Sequence, residues 1–257
     1  MNFVLTRYVL KAAGRDKLFL SMFLAVALAI ALSIFTSSAA VTGKAQFSLV
    51  YIGGALRLLA IAGLSLFVIF FVRRSFEARD VEYLLTRPVS RISFIVSHMI
   101  AFSLLALAVA AMVAFSVLLY AYRVDQINMG TFLWLAGIAG ELFIMVNVSF
   151  FFAMVLTSPV SGTLATLGFY VLSRLMGQLL SIVGAGFAQF PGAEIMASVL
   201  KIISMFIPRF DLMAQTSWLL YGVQNALENY GFIVAQGLLF TGMVMVATII
   251  DFVKKQF

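Results

Sequence analysis

The 257-residue chain has no cysteine and one histidine, His98. Without cysteine there is no disulfide, no thiolate metal site and no cysteine nucleophile. A single histidine with no second His or Cys argues against a metal centre. There is no His-Glu-x-x-His motif, no Ser-His-Asp set and no pair of carboxylates at a membrane face, so a membrane enzyme is disfavoured. The Gly-x-x-x-x-Gly-Lys-Ser/Thr phosphate loop is also missing, which excludes nucleotide binding by that route. Charge is scarce as well, at 11% of residues.

What fills the chain instead is apolar. Hydrophobic residues make up 63% of it, and the mean hydropathy is +1.11. A water-soluble domain cannot hide that much apolar surface behind a polar exterior. The bilayer is therefore the expected solvent. No polar stretch is long enough for a separate soluble domain, so residues 1–257 read as one membrane domain. The net charge of +7 fits a positive-inside bias and anionic lipid headgroups. No basic patch interleaved with aromatics is present, so nucleic acid is not an expected partner.

Six runs are long enough to cross ~30 Å of hydrocarbon. They are Leu18–Val41, Leu49–Val72, Ile92–Ala121, Phe132–Leu156, Val160–Gly184 and Tyr230–Val253. None alternates with a period of two, so helices rather than barrel strands are expected. Ser38-Ala39-Ala40 resembles a processing site, but the first apolar run exceeds the ~7–15 residues of a signal-peptide core. It is expected to stay as a span.

Lys and Arg give the orientation. Arg7, Lys11, Arg15, Lys17, Arg73, Arg74, Arg79, Arg87, Arg91, Lys254 and Lys255 fall on one side, against Lys44, Arg123, Lys201 and Arg209 on the other. Both termini are expected to be cytoplasmic. In Met1–Lys17, Phe3, Val4, Tyr8, Val9 and Leu10 oppose four cations, the pattern of an interfacial helix.

Residues 76–91 form a charged, helix-like segment between two apolar runs. Val81, Leu84 and Leu85 make an apolar stripe that needs a cover. Arg73 with Glu77, and Arg79 with Glu82, are spaced to pair along its polar side. Pro88 stops the helix, and Ser90 is placed to cap the third span.

These residues carry a resemblance. An acidic residue (Glu77 or Glu82), Leu84-Leu85, Pro88 and Ser90-Arg91 just before the third span resemble the coupling helix of the type-2 ABC transporter permease family. In outline the likeness covers the whole chain, including the six spans and Ile207-Pro208-Arg209-Phe210-Asp211-Leu212, similar to a Pro-aromatic-acidic segment of many members. Two departures stand out: Ser97-His98 replaces a frequent Gly-Lys, and Ala78-Arg79-Asp80 replaces the Gly-Thr after the leading acid. The resemblance implies an all-α integral membrane protein of the cytoplasmic membrane. It would be one of two permease subunits, identical or related, each docked on a cytosolic ATPase that binds ATP and Mg. It implies docking through Glu77, Val81, Glu82, Leu84, Leu85, Pro88 and Arg91, and no cofactor on this chain. The function implied is export of a hydrophobic or amphipathic substrate. The alternative is an ion-coupled secondary transporter, although no internal repeat of the kind common there is visible.

Before the last span, Glu194–Ile207 reads as a helix ended by Pro208. Its apolar part is about 20 Å long, too short to cross. Glu194, Ser198 and Lys201 share one face. The helix is expected to be re-entrant or interfacial, and an outer gate and a plain surface helix both remain open.

Three ionisable residues lie inside spans: Arg57, Glu141 and Arg174. Counting from the cytoplasmic ends of their spans, each lies about 22–26 Å deep. At one level on three helices, they are expected to form a polar layer, with Glu141 pairing Arg174 and also Arg57 within reach. The layer reads either as an ion pair locking helices or as part of a substrate path that attracts anionic headgroups. His98 is expected to be a satisfied residue near the membrane face. Asn147 and Gln178 are expected to join helices, and Ser173-x-x-x-Gly177 to admit a neighbouring helix.

Overall fold

A computed structural model describes residues 3–38, 43–78, 90–185, 193–223 and 227–254. Among them the chain forms nine helices and no strand. They are α1 (Phe3–Arg15), α2 (Leu18–Ser37), α3 (Lys44–Glu77), α4 (Arg91–Arg123), α5 (Met129–Val155), α6 (Pro159–Ala185), α7 (Ala193–Phe206), α8 (Trp218–Tyr221) and α9 (Leu227–Lys254). Six of them (α2 to α6 and α9) are long and apolar enough to cross a membrane. The expected spans are thus present as helices, with ends shifted by a few residues. The largest difference is in the second: α3 begins at Lys44 rather than Leu49 and continues to Glu77 rather than Val72.

Local chemistry sets the helix starts. Ser90 caps α4 by accepting a hydrogen bond from Ser93 N at 3.2 Å. Asn128 and Thr131 form a reciprocal capping box at α5. Gly43 leads into α3 at φ 66°, a conformation that side chains resist.

α5 is the hub, packed by α3, α4, α6 and α9. Trp134, Ile138, Leu142 and Phe150 of α5 are fully buried, facing Leu56 and Leu64 of α3 and Phe102 of α4 among others. α2 sits at the edge of this core, packed mainly against α3 and adding Leu18, Met22 and Ala29 to it.

α1 packs on the bundle through Leu5, Val9 and Ala13, while Phe3 and Val4 are exposed. Thr6 Oγ1 donates to Ser97 O at 3.2 Å, and Asp16 pairs with Arg74 of α3 at 3.4 Å. At the same end Phe94 stacks on Phe252, and Arg91 Nη1 donates to Val253 O at 3.1 Å. The start of α1 and the end of α9 therefore share one end of the bundle. The expected Arg73–Glu77 pair is replaced: Arg73 lies over the Phe76 ring at 5.8 Å, and Arg74 makes the ion pair.

His98 is satisfied, as expected, seven residues into α4. It is buried against Phe94 and Phe150, and its Nδ1 donates to Phe94 O at 2.9 Å. Asn147 does not join helices within the chain, since its amide donates to Phe143 O of its own helix at 2.7 Å. Gln178 is exposed.

Candidate functional site

The intramembrane charges meet around the segment that follows α7. Pro208 ends the helical run of α7, and the next residues turn inward instead of lying on the surface. Phe210 N bonds Pro208 O, and Met213 N bonds Phe210 O, both at 3.1 Å. Phe210 and Ala214 have no exposed surface. The inward-dipping element is thus the loop 208–215, not the helix before it. α7 itself packs on α6 and α9 and leaves Ile195, Ile202 and Met205 exposed.

Glycines make the entry possible. A Cβ on Gly137 would stand 2.6 Å from Ala214 N, closer than real contacts allow. One on Gly177 would collide with the Asp211 carboxylate. The close approach expected of Ser173-x-x-x-Gly177 therefore admits a loop rather than a helix. Met213 comes to rest beside Gly140, eleven residues into α5, which is about 17 Å along an axis of about 40 Å.

Two guanidinium groups hold the loop. Arg174 Nη1 of α6 donates to Met213 O at 2.8 Å, to Glu141 Oε1 of α5 at 3.1 Å, and also to Phe210 O. Arg57 Nη1 of α3 donates to Ala214 O at 2.7 Å. The Glu141–Arg174 pair is therefore formed, with Glu141 fully buried. Arg57 belongs to the same cluster, but its bond goes to the loop backbone and not to Glu141.

The cluster is not saturated. Among the described residues Glu141 Oε2, Arg57 Nε and Ser173 Oγ are buried with no hydrogen-bond partner, and Tyr170 Oη lies beside the Arg57 guanidinium. Such orphans are uncommon in folded proteins and mark strain, function or bound water. Ala214 sits at φ +42°, a left-handed conformation that costs a non-glycine residue energy. Further out, Arg209 grips Asp211 through Nη2–Oδ2 at 2.6 Å and Nε–Oδ1 at 3.3 Å, so these two charges cancel. What remains is two cations against one carboxylate, with three carbonyl dipoles making up part of the difference. The cluster offers hydrogen-bond donors and electrostatic attraction to an anionic group.

The other expected site residues are elsewhere. Glu77 is the last residue of α3. Arg91 opens α4 and is engaged with α9. Val81, Glu82, Leu84, Leu85 and Pro88 lie outside the described residues. Ser198 and Lys201 are exposed on α7, and the Glu194 side chain lies outside the described ones. Sequence reasoning missed Gly137, Ala214 and Gln236. The last donates from Nε2 to Ser204 O, Met205 O and Ile207 O at 2.7, 3.0 and 3.1 Å, capping the end of α7 from α9. Gly137, one helical turn before the buried acid, was the available sign that something approaches α5 closely. In comparisons with known proteins, no family model and no curated protein matches the chain.

Proposed function

We propose that this chain is the membrane-spanning permease subunit of an ATP-driven exporter of the type-2 ABC kind, moving a hydrophobic or amphipathic substrate across the cytoplasmic membrane. In this reading both termini are cytoplasmic, and α1 lies at the inner interface. A second permease subunit, identical or related, completes the path. ATP and Mg belong to a cytosolic ATPase. The segment carrying Val81, Glu82, Leu84, Leu85 and Pro88, flanked by Glu77 and Arg91, docks on it. α7 lies along the outer leaflet with Ser198 and Lys201 toward water.

One observation carries the reading. α3 and α4 have 34 and 33 residues, about 50 Å each, against ~30 Å of hydrocarbon. Both are longer than that layer is thick, and the charged segment joins them at the end of the bundle where Arg74 meets Asp16 and Arg91 meets Val253. Both also pack on the hub α5. A push at their junction would be delivered to the core of the bundle as rigid-body tilt. An ion-coupled carrier is less well supported: the one carboxylate at mid-depth is fully buried and already bound by Arg174.

Co-purification tests the reading. An ATPase chain is expected to travel with the protein from its native membrane, and Leu84→Asp with Leu85→Asp is expected to release it while the permease stays monodisperse. An ATPase retained by that double variant overturns the docking assignment.

A further inference from the structure

The structure assigns to Arg57 and Arg174 a masked anion site, in which the carbonyl oxygens of Phe210, Met213 and Ala214 stand where the oxygens of a phosphate or carboxylate group bind. The inference deepens the transport reading, and rests on it, only in calling that anion part of the substrate. The site itself follows from charge and geometry.

The charge count leaves one cation over. Arg57 and Arg174 face a single carboxylate, Glu141, and the nearby Arg209 and Asp211 neutralise each other. An uncompensated cation at mid-depth in a bilayer is costly. Here the shortfall is met by three backbone carbonyls. Carbonyls are dipoles, whereas a phosphate or carboxylate brings a full charge and two oxygens that match the guanidinium fork. The loop is thus a weaker ligand than the one these donors are built to take.

Two features prepare the exchange. Arg57 Nε is buried without a well-aligned acceptor among the described residues, with Tyr170 Oη beside the guanidinium, so a donor remains beyond the one that the loop uses. Ala214 is held at φ +42°, strain that is relieved when the loop leaves. At Ala214 and Asp211 the loop is seated against glycine, Gly137 and Gly177, and its main side-chain hold is Phe210 between the Phe169 and Tyr170 rings. An anionic group arriving between α3, α5 and α6 therefore displaces the loop, and the loop masks the surplus charge when no anion is there.

The absence of cysteine gives a clean readout. Leu212→Cys places the only thiol of the chain on the loop, at a half-buried position. The full-length variant in neutral phosphatidylcholine nanodiscs is labelled with a maleimide. One arm adds inorganic phosphate against chloride at equal ionic strength. The other replaces part of the lipid with phosphatidylglycerol. Labelling is expected to accelerate about 5- to 150-fold, the usual span of coupling between two sites. Acceleration by phosphate identifies a site open to soluble anions, and acceleration by phosphatidylglycerol alone identifies a headgroup. No acceleration in either arm overturns the proposal. Adding Arg174→Gln is expected to raise the basal rate and flatten the response, with Arg174→Lys keeping part of it. A full response in Arg174→Gln also overturns it. Should Arg174→Gln not fold, the two arms on Leu212→Cys alone decide. No ATPase is in the sample, so failure of the docking assignment and failure of the anion site are separate results.

Discussion

α2 and α5 are built from similar residues and end in different surroundings. α2 is the more apolar, with a mean hydropathy of 2.7 over its central stretch against 2.0 for α5. Yet 22% of that stretch is buried in α2 and 67% in α5. α2 turns Phe23, Leu24, Leu28 and Phe35 outward, whereas α5 buries Thr131, Glu141, Asn147 and Ser149. In water the order would be reversed. In a bilayer lipid tails are as apolar as leucine, so apolarity does not pull a helix inward. Polar groups and small residues do, because they need partners and allow close approach.

The sharpest way to break this contrast is to remove the polar anchor. Arg174→Leu leaves Glu141 buried without its partner and frees the carbonyls of Phe210 and Met213. Breaking a buried pair from one side costs about 3–5 kcal/mol, so unfolding of the purified protein in mixed micelles is expected at markedly lower denaturant. A cost no greater than that of an α2 truncation would refute the idea that polar contacts organise α5. A smaller effect is expected from Gly137→Leu, which drives a side chain into Ala214. Overpacking of this kind costs about 1–3 kcal/mol, and the same assay should show it, with faster proteolysis of the loop. The smallest effect is expected from Leu28→Ala on the exposed face of α2, within about 0.5 kcal/mol. A large loss there would mean that α2 is covered by another protein surface.

Much of the fold was legible because membrane spans announce themselves by length and apolarity alone. The six helices, the cap at Ser90 and the Glu141–Arg174 pair follow from local rules. Span ends were harder. α3 continues past Val72 because Arg73 and Arg74 favour helix as well as mark the interface, and Asp16 and the Phe76 ring give them partners. The site was half legible. Three charges at one depth could be counted from sequence, but their partners could not, since backbone carbonyls carry no letter. Ala214 shows the limit: nothing in an alanine announces a carbonyl held by an arginine 157 residues away. Asn147 was misread for a related reason. It satisfies itself on its own helix, four residues back, as His98 does, which removes the need for a partner on another helix.

The joint at Gln236 has a mechanical side. A side-chain amide carries two hydrogens, and here they serve three carbonyls in succession at the tip of α7. All three lie within 3.1 Å of one nitrogen, so the two hydrogens are shared among them. Losing that single amide would take a donor from all three carbonyls at once, so one side chain carries the hydrogen-bonded tie between α9 and the tip of α7.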